Sequence, residues 1–142
     1  MSFHRRVAVA VIGIGFALSL AAQSETFRAV LSPLPADAKT RADLAGSGSA
    51  SAVLSGTKLA ITGSFEGLLS AATTAGLHSA VAAGVRGPAI ADLTISKATS
   101  GTITGSIDLT PAQLASLHKG GLYIQIHSEK APNGVLWGWL LR

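Results

Sequence analysis

The sequence predicts an all-β domain: a two-sheet antiparallel sandwich with one short helix. Three observations predict it. From Glu25 onward, apolar runs of five to nine residues, rich in β-branched side chains, are separated by Gly, Ser, Thr and Pro. Within one of those runs Leu59, Ile61 and Phe65 alternate with Lys58, Thr62 and Ser64, the period of a strand with one wet face. Near the end, Asn133-Gly134 sits between two such runs and reads as a hairpin connection. Seven or so strands in a chain of this length suit two packed sheets.

The elements follow in order. Thr26 to Leu31 reads as a first strand, stopped by Pro33 and Pro35, which offer no backbone donor. Ala36 to Asp43 is polar and reads as a loop. Ala50 to Leu54 and Thr57 to Phe65 form a hairpin around Ser55-Gly56. Ala71 to Gly87 shows no clear period and is rich in Ala and Gly, so it reads as a long connection containing a helical turn. Ala89 to Ser96 and Thr102 to Leu109 are strands around Gly101. Thr110-Pro111 opens a helix, because threonine caps free amides and proline fits the first helical position; Gly120-Gly121 closes it after about Leu117. Leu122 to Ser128 and Val135 to Leu141 are the last two strands.

Residues 1–24 read differently. Arg5 and Arg6 precede a 14-residue apolar stretch from Val7 to Leu20 and the small-residue run Ala21-Ala22-Gln23-Ser24, the layout of a secretory signal peptide. A spanning helix needs about 20 apolar residues, so export with cleavage is expected rather than an anchor. A membrane association is expected only if the segment stays uncleaved. Residues 25–142 then form one domain, secreted or periplasmic. Removal of Arg5 and Arg6 lowers the formal charge from +4 to +2. The remaining basic residues are scattered singly, so no nucleic-acid partner is expected.

Composition removes further classes. The chain has no cysteine, hence no disulfide scaffold, thiolate nucleophile, iron–sulfur cluster or thiolate metal site. No Gly-x-Ser-x-Gly elbow is present, and neither Ser55 nor Ser106 has an evident histidine and acid. Glu66, Asp92 and Asp108 show no spacing that forces two carboxylates together. Gly46-Ser47-Gly48 lacks the lysine and the strand-to-helix setting of a phosphate loop. The chain is therefore expected not to be an enzyme.

Several segments in one order carry a resemblance: Phe27-Arg28-Ala29-Val30-Leu31-Ser32, Leu59-Ala60-Ile61, Gly67-Leu68, Gly76-Leu77-His78-Ser79, Gly87-Pro88 with the apolar run to Leu93, Gly121 to Ser128, Pro132-Asn133-Gly134, and Val135 to Leu140. Together they resemble the CHRD domain, the repeat named after chordin, in the form of a divergent bacterial single-domain secreted member. The family's His-x-His pair has Gly76 at its first position here, its early Gly-x-x-Glu-x-Pro-Pro pattern has become Leu34-Pro35-Ala36-Asp37, and its late Arg-Gly-Gln has become Trp137-Gly138-Trp139. The resemblance implies an immunoglobulin-like or superoxide-dismutase-like sandwich and carries over no general enzymatic activity; a non-enzymatic binding module is the expected role. No cofactor is expected.

His78 and His127 lie in segments the resemblance marks and are the candidate ligands for copper or zinc. Within residues 25–142 only His118, on the expected helix, adds a third imidazole. A structural role in which both histidines bond backbone groups is the leading expectation. On the strand from Leu122, alternation puts Tyr123, Gln125 and His127 on one face; that face reads as the solvated side, or alternatively as a polar ligand groove. Trp137 and Trp139 share a face and form the candidate platform for a saccharide or a protein partner, against a plain packing role. An envelope-anchored structural protein is the remaining alternative.

Overall fold

The computed structural model describes residues 10, 12–15 and 23–142. Apart from residues 10, 12–15, 23 and 24, the expected signal segment lies outside the described residues. No described helix is long and apolar enough to cross a membrane.

Among the described residues there are eight strands and one α-helix: β1 (Ser24–Pro33), a 3-10 turn (Arg41–Asp43), β2 (Ser47–Ser55), β3 (Lys58–Glu66), β4 (Ala72–Ser79), β5 (Ala89–Ile95), β6 (Gly101–Asp108), α1 (Pro111–His118), β7 (Leu122–Ser128) and β8 (Leu136–Trp139). The alternation read in β3 holds: Leu59, Ile61 and Phe65 are buried, and Lys58, Thr62 and Ser64 are exposed. Gly56, at φ +63°, makes the tight β2–β3 turn that pairs Ser55 with Lys58. α1 starts as expected. The Thr110 hydroxyl accepts from the Gln113 amide and the Gln113 side chain accepts from the Thr110 amide, a capping box with Pro111 in the first turn.

Two expectations are corrected. The first concerns the sheets, which do not form a two-layer immunoglobulin-like or superoxide-dismutase-like sandwich but close into one antiparallel barrel in the order β1-β2-β3-β6-β5-β4-β7-β8. Two strands make the closure by changing partner along their length. β1 pairs with β2 from Ser24 to Leu31, then places Ser32 and Pro33 against Trp137 and Leu136 of β8. β5 pairs with β4 from Ala89 to Leu93, then passes Thr94 and Ile95 to β6. Each closing seam is two residue pairs long. Edge strands that would be open in a sandwich are thereby used up. Pro33 does not stop β1 short; it ends the strand at the seam, where a missing donor costs one rim bond at most.

The second correction is β4. Residues 72–79 are a full strand between β5 and β7, not a helical connection. Ala72, Ala75 and Leu77 are buried there, so packing between two neighbours overrides the weak strand preference of Ala and Gly. The interior is filled by side chains, as an eight-stranded barrel requires. Phe27, Leu31, Leu59, Ile61, Leu77, Ile103, Leu122, Ile124, Ile126 and Leu136 are its largest fully buried hydrophobes, and α1 adds Leu117.

Candidate functional site

β7 lies between β4 and β8, and its outward residues are Tyr123, Gln125 and His127. Register sets His78 opposite Tyr123 and Tyr123 opposite Trp139, so three aromatic rings stand in one row across three strands. Tyr123 stacks on His78 (4.9 Å between centroids, 23° between planes) and on Trp139 (4.8 Å, 30°). Trp137 meets Tyr123 edge-on at 5.9 Å and Trp139 at 4.7 Å. Such offset and edge-on geometries place the positive ring edges against negative faces.

The outer face of β7 is covered rather than solvated: Tyr123 is 1% and Gln125 3% exposed. Its cover is the loop of residues 80–88, which leaves β4 and folds back across β7. Gly87 pins that strap. Its amide donates to the Tyr123 hydroxyl (2.9 Å), its carbonyl accepts from that hydroxyl (3.1 Å), and the same carbonyl accepts from His78 Nδ1 (2.9 Å). Further along, Arg86 Nη1 donates to the Asn133 carbonyl (2.9 Å), tying the strap to the β7–β8 connection.

His127 anchors the same connection from below. Its Nδ1 lies 2.8 Å from the Pro132 carbonyl, which only accepts, so the ring proton sits on Nδ1. Nε2 is then the acceptor for Gln125 Nε2 at 3.2 Å, and the Gln125 amide also donates to the Asn133 carbonyl at 3.4 Å. Two acceptors fix the amide, and Gln125 Oε1 is left buried without a protein partner, as is Trp139 Nε1. Gly134, at φ +118°, passes so close to Leu34 and the Gln125 amide that a Cβ there would fall 2.9 Å from each. Only glycine fits that position.

The two candidate metal ligands do not converge. His127 stands opposite Thr74 and His78 opposite Tyr123, four residues out of step along adjacent strands, about 13 Å apart. Each directs Nδ1 to a backbone carbonyl. Among the described residues no group of three His, Asp or Glu side chains is placed to hold a metal ion. His118 lies elsewhere, at the end of α1, where Nε2 meets Glu25 Oε2 at 2.8 Å; Arg142 joins the same oxygen at 2.9 Å. The His118 bond, helped by Arg142, holds the Glu25 carboxyl below its ordinary value of 4.5.

Trp137 and Trp139 remain half-buried on the outer surface. β8 comes close to β1 because Gly138 has no side chain where it meets the Val30 carbonyl. The pairings Ser32–Trp137 and Arg28–Leu141 put Val30 beside Trp139, and Val30 is 79% exposed. The structure thus brings together Tyr123, Trp137, Trp139 and His78, and separates His127 with Gln125 as a loop anchor. Gly87 and Arg86, the hubs of the strap, had no chemical signature in the sequence beyond the Gly87-Pro88 turn signal.

Comparison with curated proteins and with solved structures finds no match. The family model for the CHRD domain matches residues 27–140, which takes in every strand residue of the barrel except the first three of β1. The chain belongs to the CHRD family.

Proposed function

We propose that the protein is an exported, non-enzymatic CHRD binding module that presents the outer face of β7, β8 and β1 to a protein or saccharide partner. One observation carries the reading: an ordered aromatic cluster whose inner member, Tyr123, is buried and hydrogen-bonded, while Trp137, Trp139 and Val30 reach the surface. Buried aromatics that are pinned by a strap lose little freedom on binding, and large rigid rings beside an exposed apolar residue are the composition of binding hot spots. The two tryptophans are half-buried on the outer face and take no part in the hydrophobic core of the barrel. Export rests on the signal-like segment of residues 1–24, and mass spectrometry of the exported protein should find about 21 to 24 residues removed.

The test is retention on the envelope fraction of the producing cells. The full chain should be retained, and the Trp137→Ala/Trp139→Ala double variant released, with folding of both checked by circular dichroism. Protease treatment of the fraction should abolish retention if the partner is a protein and spare it if the partner is a saccharide. Equal retention of the folded double variant would reject the aromatic face as the binding surface.

A further inference from the structure

Beyond the aromatic face, a separate hollow of about 100 Å³ opens where the chain leaving β1, the 3-10 turn and the β7–β8 connection meet. Leu34, Leu44 and Pro132 give it an apolar lining, and Arg86, Lys130 and Asp43 stand among its walls. The charges are not balanced locally. The ion pairs among the described residues both belong to Glu25, so neither Arg86 nor Lys130 has a described carboxylate within 4.0 Å. Of the two cations, the Arg86 side chain is held by a bond of its own, whereas Lys130 is tethered through its backbone and leaves its ammonium free to move. Arg86 spends one Nη1 proton on the Asn133 carbonyl and keeps its other donors free; the Lys130 backbone amide donates to Ser70 Oγ at 2.9 Å. The wall segment is itself braced by His127 on the Pro132 carbonyl and by the Gly134 amide on the Ala131 carbonyl at 3.1 Å.

An apolar hollow walled by one positioned guanidinium, one ammonium and the single carboxylate of Asp43 keeps an excess of one positive charge, and is complementary to a molecule with a short hydrocarbon body and an anionic head. A guanidinium with free forked donors selects a planar carboxylate. Size limits the body: a cavity of about 150 Å³ holds benzene, so this smaller hollow takes an aliphatic chain of about three or four carbons. We propose that this hollow is a binding site for short-chain organic carboxylates, with Arg86 and Lys130 holding the head and Leu34 and Leu44 contacting the tail.

The probe is n-butyrate, titrated into the full-length chain at low salt and followed by methyl NMR, with n-butylammonium as the matched cation. Butyrate should bind saturably in the millimolar range, shifting the Leu34 and Leu44 methyls. Lys130→Gln, whose side chain makes no structural bond, should weaken binding about twofold to fivefold, and Asp43→Asn should strengthen it by a similar factor. Arg86→Gln should weaken it further, with a thermal melt to separate loss of the strap contact from loss of the site. Absence of saturation by about 100 mM, equal binding of butylammonium, or butyrate affinity indifferent to both Lys130→Gln and Asp43→Asn would overturn the proposal.

Discussion

Tyr123→Phe is the substitution that isolates the strap. The ring keeps its place between His78 and Trp139, so packing is conserved and only the hydroxyl is lost. Two bonds go with it. The Gly87 carbonyl retains His78 Nδ1 as a donor at 2.9 Å, so the acceptor side stays satisfied. The Gly87 amide, which donated to the hydroxyl at 2.9 Å, loses its partner while half-buried in the strap. An orphaned donor costs about 1–3 kcal/mol, and partial access to water puts this one near the lower end, about 1–2 kcal/mol. For a domain of this size that is a fall of about 4–8 °C in melting temperature. Urea unfolding read by tryptophan fluorescence measures the loss, and hydrogen exchange at the Gly87 amide locates it; protection there should collapse while the β3 and β6 amides keep theirs. Tyr123→Ala, which also empties the ring volume, should cost about 3–5 kcal/mol. A Tyr123→Phe variant as stable as the parent, with Gly87 protection unchanged, would refute the strap as described.

Other outcomes follow from single contacts. Thr110→Ala removes the hydroxyl half of the α1 capping box and should destabilise the domain by about 1 kcal/mol in the same urea assay, with Thr110→Ser close to neutral. Gly134→Ala should be costlier than any surface Gly→Ala, because the left-handed backbone and the 2.9 Å approach to Leu34 and Gln125 both oppose a Cβ; a loss above about 1 kcal/mol by urea unfolding is expected. Acid should weaken the fold through two carboxyls held below their ordinary values, Glu25 by His118 and Arg142, and Asp37 by the Thr40 and Lys39 amides. Because both are depressed in the folded state, their contribution is present above the ordinary values of 4.5 and 3.8 and is lost as pH falls through the folded values. Glu25→Gln should flatten the acid side of a stability–pH curve, and an unchanged curve would count against that contact.

How far the sequence was legible varied with how local the cause was. β7 is legible to the residue because apolar alternation runs through it and Gly120-Gly121 separates it from α1 immediately upstream. α1 is legible because its cap lies within four consecutive residues, Thr110 to Gln113. β4 was not, since Ala72 to Ser79 lacks a bulky β-branched pattern and becomes a strand only between β5 and β7. Closure of the barrel was hidden for the same reason: each seam rests on two pairs between residues far apart, and strand counting is equally satisfied by two open sheets. At the site, period alone groups Tyr123, Gln125 and His127 on one face, yet the burial of that face depends on a strap whose Gly87 lies 36 residues before Tyr123. The histidines' Nδ1 contacts to Gly87 and Pro132 realise the backbone-bonding role, which needed only nearby carbonyls.

In the proposed function a partner docks on the outer aromatic face of β7, β8 and β1. Amide and indole resonances of the isotopically labelled full chain, followed as the solubilised envelope fraction is added, test it most directly. Shifts should concentrate on Val30, Ser32, Trp137 and Trp139 and disappear in the Trp137→Ala/Trp139→Ala variant. Perturbation confined to the far wall of the barrel, on β3 and β6, with both indoles unmoved, would contradict it.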